Sequence, residues 1–245
     1  MNKLLIVIVF IAAILRFYQL GVNPPSLTWD EASLGYNSYS ILQTGADEYG
    51  NKFPLSIRSF DDYKPALYTY LTIPFIKIFG LNEFAVRVPS ALIGVLSILA
   101  IYFLVKELLQ KWDKKYQEPI ALVSAFFLAI SPWHLQFSRG AFEGNIGIFF
   151  LMLGILLFFK GLKDGKLFII SSVSFALSIY SYHSFRLLVP LLLVFIVFIF
   201  WQEVLKKKLF FVIFLISLAL LTLPVYFSFV KAQASNSRLS MVTIF

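Results

Sequence analysis

The stretch LFFVIFLISLALLTLPVYFSFV, residues 209–230, contains no charged side chain and follows directly on Lys206-Lys207-Lys208. An α-helix needs about 20 mainly apolar residues to cross the hydrocarbon core of a bilayer, so this stretch predicts a transmembrane helix. The whole chain agrees with it, because 59% of the residues are hydrophobic and only 14% are charged. In soluble domains, roughly a quarter of all residues are charged. The sequence therefore predicts an integral membrane protein.

Six further stretches have the same apolar character: residues 4–20, 88–105, 120–133, 146–159, 167–182 and 187–201. Several are shorter than the roughly 20 residues that cross a bilayer, so we expect their helices to continue into flanking polar residues. The predicted fold class is all-α, a polytopic membrane helical bundle of about seven spans. Lys3 and the first apolar stretch also fit a signal peptide, but no small-x-small cleavage site follows, which favours an uncleaved span.

Lysine is concentrated in three loops between these stretches, at residues 106–115, 160–166 and 206–208. Short loops of this kind stay in the cytoplasm, so the pattern predicts a cell-membrane protein with a cytoplasmic N-terminus. The remaining loops and the tail then face outward: 21–87, 134–145, 183–186 and 231–245. The same bias accounts for the net charge of +8. Nucleic acid is not a predicted partner, because no basic patch is interleaved with aromatic residues.

The longest predicted loop, residues 21–87, is rich in aromatic and apolar residues, which argues against disorder. Within it, residues 64–80 (KPALYTYLTIPFIKIFG) are apolar enough to be an alternative candidate for a transmembrane span. A full crossing there would move the lysine-rich loops outside, and Pro74 and Lys77 fit poorly in a lipid-exposed helix. We therefore expect juxtamembrane helices in this first outer loop, within a single membrane domain that covers 1–245.

The strongest local feature of the loop is Thr28-Trp29-Asp30-Glu31. Two adjacent carboxylates beside a tryptophan and close to the membrane surface can supply a general base. The same residues fit a helix N-terminus, with Thr28 or Asp30 as the cap and Glu31 in the first turn. The two interpretations are compatible.

Weaker signals follow along the same loop. The pair Asp47-Glu48 lies between turn-forming glycines, which favours a solvated turn. Lys64 precedes Pro65, so its backbone is predicted to be extended. A lysine at the membrane surface can bind a lipid phosphate, or it can simply extend its charge towards water.

The shorter outer loops carry the remaining ionisable candidates. Arg139 and Glu143 are four residues apart, a spacing that also suits a local ion pair on one helix. Arg186 follows Tyr182 and His183 at the outer end of a span, where interfacial anchoring is the simpler explanation. The two histidines have no shared local spacing, so no metal site is predicted. The lysine-derived topology nevertheless places carboxylates and basic residues on the same side of the membrane.

Several of these motifs, taken in order, resemble the GT-C glycosyltransferases. The motifs are WDE at 29–31, KPALY at 64–68, FGLNEFAVRVPSA at 79–91, FSR at 137–139 and YHSFR at 182–186. The chain is most similar to bacterial relatives of protein O-mannosyltransferases and lipid A aminoarabinose transferases, a glycosyltransferase family 39-like group. The resemblance implies many transmembrane helices, a first outer loop with surface helices, a polyprenyl-phosphate sugar donor and an outward-facing active site.

The resemblance also implies roles for individual residues. The family's catalytic acidic residue falls on Asp30, with Glu31 beside it, and a second acidic position falls on Glu143, where aspartate is commoner. The lysine of the Lys-Pro motif and the basic residues expected near the donor phosphate are Lys64, Arg139, His183 and Arg186. Because family members continue for several more spans, the chain is expected to be incomplete at its C-terminus.

The predicted reaction is sugar transfer to a hydroxyl of a protein, lipid or polysaccharide acceptor, without a metal or other cofactor. A polyprenyl phosphate leaves as an anion and needs no protonation, so one base suffices where glycosidases need two carboxylates. Asp30 would take the acceptor proton, and attack opposite the phosphate would invert the anomeric centre. The alternative is a transporter or flippase of lipid-linked sugars, which should carry ionisable residues at mid-bilayer or interrupted helices in matched halves.

Overall fold

A computed structural model describes residues 2–59 and 62–231, so the predicted outward tail falls outside it from residue 232 on. The described chain is helical apart from one short hairpin. The helices are α1 (Lys3–Phe17), α2 (Trp29–Thr44), α3 (Leu67–Phe79), α4 (Glu83–Leu108), α5 (Lys114–Ile130), α6 (Pro132–Arg139), α7 (Glu143–Gly161), α8 (Leu167–Ser181), α9 (Phe185–Ile199), α10 (Trp201–Lys206) and α11 (Lys208–Lys231). The strands β1 (Ser56–Ser59) and β2 (Asp62–Pro65) pair in antiparallel register.

Six of the seven predicted apolar stretches lie mainly on one helix each, the stretch 120–133 is divided between α5 and α6, and the all-α membrane fold class is confirmed. Within the described residues, three helices are long and apolar enough to cross a bilayer, namely α4, α7 and α11. A fourth candidate is the pair α5 and α6, which is bent by 57° at its junction. The other predicted spans correspond to helices of 15 residues, α1, α8 and α9. The count of seven crossings stays a prediction.

The predicted span at residues 120–133 ends earlier than the apolar pattern indicates. Helix α5 ends at Ile130, Ser131 has φ −58° and ψ 119°, and a new helix starts at Pro132. A residue that precedes proline is driven out of the helical region, and proline has no N–H to continue the ladder. The predicted outer loop 134–145 therefore contains most of α6.

The tightest helix pair is α7 with α8, and small residues on α7 explain its close approach. A Cβ added at Gly154 would lie 2.9 Å from the ring of Phe175 on α8. Two serines of α8 donate to carbonyl groups of α7: Ser171 to Gly154 at 2.8 Å and Ser178 to Gly147 at 2.9 Å. Small residues and short polar side chains are the usual means of helix association in lipid. This pair fixes the position of the loop that leads into α9.

The segment between α1 and α4 contains α2, the β1–β2 hairpin and α3. Helices were expected in this segment, and the apolar residues 64–80 contain α3 with Pro74 inside the helix, while the side of the membrane on which they lie stays a prediction. Helix α3 packs against α2 and against α4. The hydroxyl of Tyr68 on α3 donates to the carbonyl of Val86 on α4 at 3.0 Å. The segment is thus a folded layer attached to the helical bundle.

Candidate active site

The start of α2 brings Asp30 against Lys64 of β2, and the two side chains form an ion pair. The side chain of Asp30 is 60% exposed, whereas that of Lys64 is 11% exposed. Lys64 lies in extended backbone, as the following proline predicts. The carboxylate of Asp30 is therefore accessible to solvent, whereas the ammonium group of Lys64 is largely buried.

The N-terminus of α2 is held by a complete capping box. The hydroxyl of Thr28 accepts from the backbone N–H of Glu31 at 3.3 Å, and the Glu31 carboxylate accepts from the N–H of Thr28 at 2.9 Å. The predicted cap at Thr28 is thus confirmed. Asp30, in the first turn, is not used by the cap and points its carboxylate to Lys64.

Glu31 differs from its neighbour because its carboxylate is buried and fully engaged. Arg87 of α4 pairs with it, with Nε to Oε1 at 2.9 Å, and the backbone N–H of Ala141 donates to Oε1 at 3.0 Å. Burial raises the pKa of Glu31, but the hydrogen bonds from Arg87, Thr28 and Ala141 outweigh that effect and leave the pKa below its ordinary value. These contacts favour a structural anion that joins three segments.

Arg87 is the main site residue that the sequence analysis did not single out. Its side chain is 0% exposed. Besides pairing with Glu31, it donates to backbone carbonyl groups of the connection between α1 and α2, those of Leu20, Pro24 and Ser26. The sequence did contain a signal for Arg87, because it is the only charged residue in the apolar run AVRVPSA. A charged side chain that is buried with such a run needs a partner.

Glu143 is the first residue of α7. Burial raises the pKa of Tyr68, and the negative charges of Glu31 and then of Glu143 raise it further. Two of the three predicted acidic positions therefore act on the same buried hydroxyl. Their role in chemistry is an untested prediction.

The loop between α8 and α9 contacts the β1–β2 hairpin. The Nε2 atom of His183 lies 2.7 Å from the carbonyl oxygen of Tyr63, the residue before Lys64. Arg186 follows on the first turn of α9, and its backbone N–H donates to the carbonyl of His183 at 3.1 Å. Residues separated by more than a hundred positions in the chain, Lys64 and His183, thus meet at one hairpin.

Arg139 has a different environment from the one predicted. The helix that carries it ends there, because Gly140 is extended with φ −98° and ψ 166°, and Glu143 begins the next helix. The idea of an Arg139–Glu143 ion pair on one helix is therefore wrong. The guanidinium instead donates to backbone carbonyl groups in the last turn of α1 and in the connection that follows it, those of Leu15, Arg16, Tyr18 and Asn23. These contacts favour a structural role, and the phosphate contact stays a prediction.

The pair Asp47-Glu48 is also more ordered than a solvated turn. Asp47 is 3% exposed, and its Oδ1 accepts from the backbone N–H groups of Tyr49 and Asn51 at 3.0 and 2.8 Å. The Oε1 atom of Glu48 accepts from Asn37 of α2 at 2.9 Å. The expectation of a solvated turn was wrong for Asp47, because the turn folds around its carboxylate.

The other histidine, His134, is buried, and its Nδ1 lies 2.7 Å from Nη2 of Arg16. Across residues 2–59 and 62–231, no group of three or more histidine and acidic side chains could hold a metal ion.

Comparison with known proteins places this architecture among sugar transferases. A family model described as dolichyl-phosphate-mannose-protein mannosyltransferase matches residues 63–227. Over 106 residues the chain is 32% identical to "Putative mannosyltransferase YkcB" of Bacillus subtilis (strain 168), an alignment that covers 43% of this chain and 14% of that protein. Over 169 residues it is 25% identical to "Putative mannosyltransferase YycA" of the same organism, covering 66% and 22% respectively.

Two solved structures share the fold. ArnT from Cupriavidus metallidurans in the apo state superposes with a TM-score of 0.72 and 16% identity, covering 94% of this chain and 43% of ArnT. The structure of the same protein bound to undecaprenyl phosphate gives a TM-score of 0.71, with 92% and 41% coverage. The chain therefore spans less than half the length of these relatives. The likeness shows that the chain shares the helical fold of ArnT, in agreement with the fold that the ordered motifs led us to expect.

Proposed function

The chain belongs to the dolichyl-phosphate-mannose-protein mannosyltransferase family, and on that premise we propose that it is a membrane glycosyltransferase with a polyprenyl-phosphate sugar donor. The sugar passes to an acceptor hydroxyl on the extracytoplasmic side, with inversion and with Asp30 as the general base. The Bacillus relatives named as mannosyltransferases support the reaction class. The ArnT structure with undecaprenyl phosphate supports the kind of donor.

The observation that carries the proposal is the ion pair between exposed Asp30 and nearly buried Lys64. A general base must be reachable by the acceptor, and the carboxylate of Asp30 is exposed and lies next to a cation. Glu31 is occupied by Arg87 and two backbone N–H groups. We therefore assign the proton transfer to Asp30 and a positioning role to Glu31.

Lys64, His183 and Arg186 form the proposed phosphate end of the site. His183 contacts the carbonyl of Tyr63, the residue before Lys64, and the backbone N–H of Arg186 donates to the carbonyl of His183. When the donor phosphate binds, the ammonium group of Lys64 can shift from Asp30 towards the phosphate oxygens. That exchange frees the carboxylate for the acceptor and brings positive charge to the leaving group.

The bond changes balance without a further reagent. The acceptor oxygen forms a bond to the anomeric carbon, the bond from that carbon to the phosphate oxygen breaks, and the acceptor proton passes to Asp30. The products are the glycosylated acceptor and polyprenyl phosphate. A phosphate is a good anionic leaving group, so no residue need act as a general acid.

The test of the base is Asp30→Asn in nanodisc-embedded protein supplied with a synthetic polyprenyl-phosphate mannose and an extract of envelope acceptors. The amide keeps the shape of the side chain but cannot accept the proton, so turnover should fall about 10²–10⁴-fold while donor affinity changes little. Glu31→Gln should reduce turnover only through stability. Arg186→Ala should weaken donor binding, because it acts on the phosphate.

The controls separate the parts of the proposal. Lys163→Ala removes an exposed lysine of another loop, so it should change neither turnover nor donor affinity. Near-normal turnover in Asp30→Asn would exclude Asp30 as the base and transfer the assignment to Glu143 or Glu31. Donor movement across the bilayer without product would support the transporter alternative instead.

A further inference from the structure

A recess next to the start of α2 is not used by the proposed reaction. It has a volume of about 390 Å³ and lies between α2, the turn that carries Glu48 and the end of β1 at Ser59. Its lining residues are Trp29, Ala32, Ser33, Tyr36, Glu48, Tyr49 and Ser59. We call this recess the aromatic cleft. Its volume is within the roughly 300–1,000 Å³ of sites that hold small molecules.

We infer that the aromatic cleft is the acceptor subsite and that it binds a pyranose ring of a carbohydrate acceptor. This inference rests on the proposed function, because it supplies the hydroxyl that Asp30 would deprotonate. Three aromatic rings and one carboxylate around a small recess suit a sugar. Each pyranose has C–H faces that pack on aromatic rings and hydroxyl groups that donate to a carboxylate.

The aromatic residues are presented to solvent instead of being packed in a core. Trp29 is 77% exposed, and the rings of Tyr36 and Tyr49 are also exposed. Trp29 and Tyr36 are seven residues apart on α2, so they lie on the same helix face two turns apart. Tyrosine and tryptophan supply large contact areas with few rotatable bonds, which lowers the entropy lost on binding.

The polar side of the aromatic cleft is held rigidly. Buried Asn37 donates to Oε1 of Glu48 at 2.9 Å and accepts from its backbone N–H at 3.1 Å. The turn that carries Tyr49 is folded around Asp47, and the guanidinium of Arg58 lies 5.1 Å from the centre of the Tyr49 ring. A preorganised wall loses little conformational freedom when a ligand binds.

Charge distinguishes an acceptor from the donor phosphate. Among the described residues that line the aromatic cleft, Glu48 is the only formally charged one. A carboxylate that lines the cleft disfavours a phosphate, and the cations Arg58, Lys64 and Arg186 are not among its lining residues. The cleft is nevertheless close to the base. Asp30 and Ser33 are three residues apart on α2, so their Cβ atoms are separated by roughly 5–6 Å.

The experiment measures sugar binding without turnover. Nanodisc-embedded protein is titrated with a panel of methyl hexopyranosides and the corresponding disaccharides, and binding is followed by saturation-transfer NMR. Trp29→Ala and Tyr49→Ala should each weaken binding of the preferred saccharide about five- to tenfold. Trp29→Phe should retain most of the affinity, because a ring is still present. Trp112→Ala, which removes another exposed tryptophan in a lysine-rich loop, should have no effect.

A second arm adds the polyprenyl-phosphate sugar donor. Simultaneous binding of donor and saccharide is the expected result, whereas competition between them would show that the aromatic cleft holds the donor's own sugar and would overturn the inference. It would also be overturned by the absence of saturable saccharide binding or by equal losses in Trp29→Ala and Trp112→Ala. Donor affinity measured in the absence of saccharide tests the proposed function separately. The proposed function and the acceptor-subsite inference can therefore fail independently.

Discussion

The buried pair between Arg87 and Glu31 offers the sharpest test of how the candidate site is held together. The substitution Arg87→Met keeps the length of the side chain and removes its charge and donors. Glu31 would then remain buried without its cation, and three backbone carbonyl groups would lose a donor. Removing one member of a buried pair costs about 3–5 kcal/mol. The lost contacts to the carbonyl groups, each worth about 1 kcal/mol, favour the upper end of that range.

The assay is the free energy of unfolding in mixed micelles, followed by intrinsic tryptophan fluorescence. Lys163→Met is the control, because Lys163 also pairs with a glutamate, Glu107, at 2.6 Å, but the lysine side chain is 57% exposed and that of the glutamate 11% exposed. Water reaches one partner of this pair, so the control should lose clearly less stability than Arg87→Met.

The double variant Glu31→Gln with Arg87→Met completes the cycle. It leaves no charge buried, so it should recover part of the stability that Arg87→Met loses. A loss below about 1 kcal/mol in Arg87→Met, or a double variant no more stable than the single one, would refute the reasoning.

The remaining predictions concern pH, packing and topology. Since the pKa of Glu31 is lowered in the folded state, its stabilising contribution is complete above the unfolded value of 4.5 and is lost as the pH falls towards the folded pKa. Acid unfolding curves should therefore show a loss of stability below pH 4.5 that Glu31→Gln flattens, and identical curves would contradict the assignment. Gly147→Leu should destabilise the α7–α8 region by about 1–3 kcal/mol because a Cβ there overlaps a phenylalanine ring of α9, whereas Gly144→Leu, with open space around it, should not. Cysteine labelling from outside should reach position 50 and not position 112; the reverse pattern would reject the topology.

Local patterns predicted the membrane class, the positions of the apolar helices and the start of α2. Helical periodicity, capping and lipid solubility depend on residues within a few turns of one another, so a single sequence contains them. The Thr28 cap and the helix within residues 64–80 follow from such local rules. The end of α5 before Pro132 was locally encoded too, although the apolar count extended the span past it.

The partners of the charged residues were decided only by the tertiary structure. Glu31 and Arg87 are 56 positions apart, and the contact between His183 and Tyr63 joins positions 120 apart. Whether a carboxylate is reachable or buried depends on which elements pack over it, and adjacent residues of one helix turn can face opposite environments. The sequence by itself therefore determined that Asp30 and Glu31 lie at a helix start in the first loop, while packing against α4 and β2 made one a buried structural anion and left the other exposed beside Lys64.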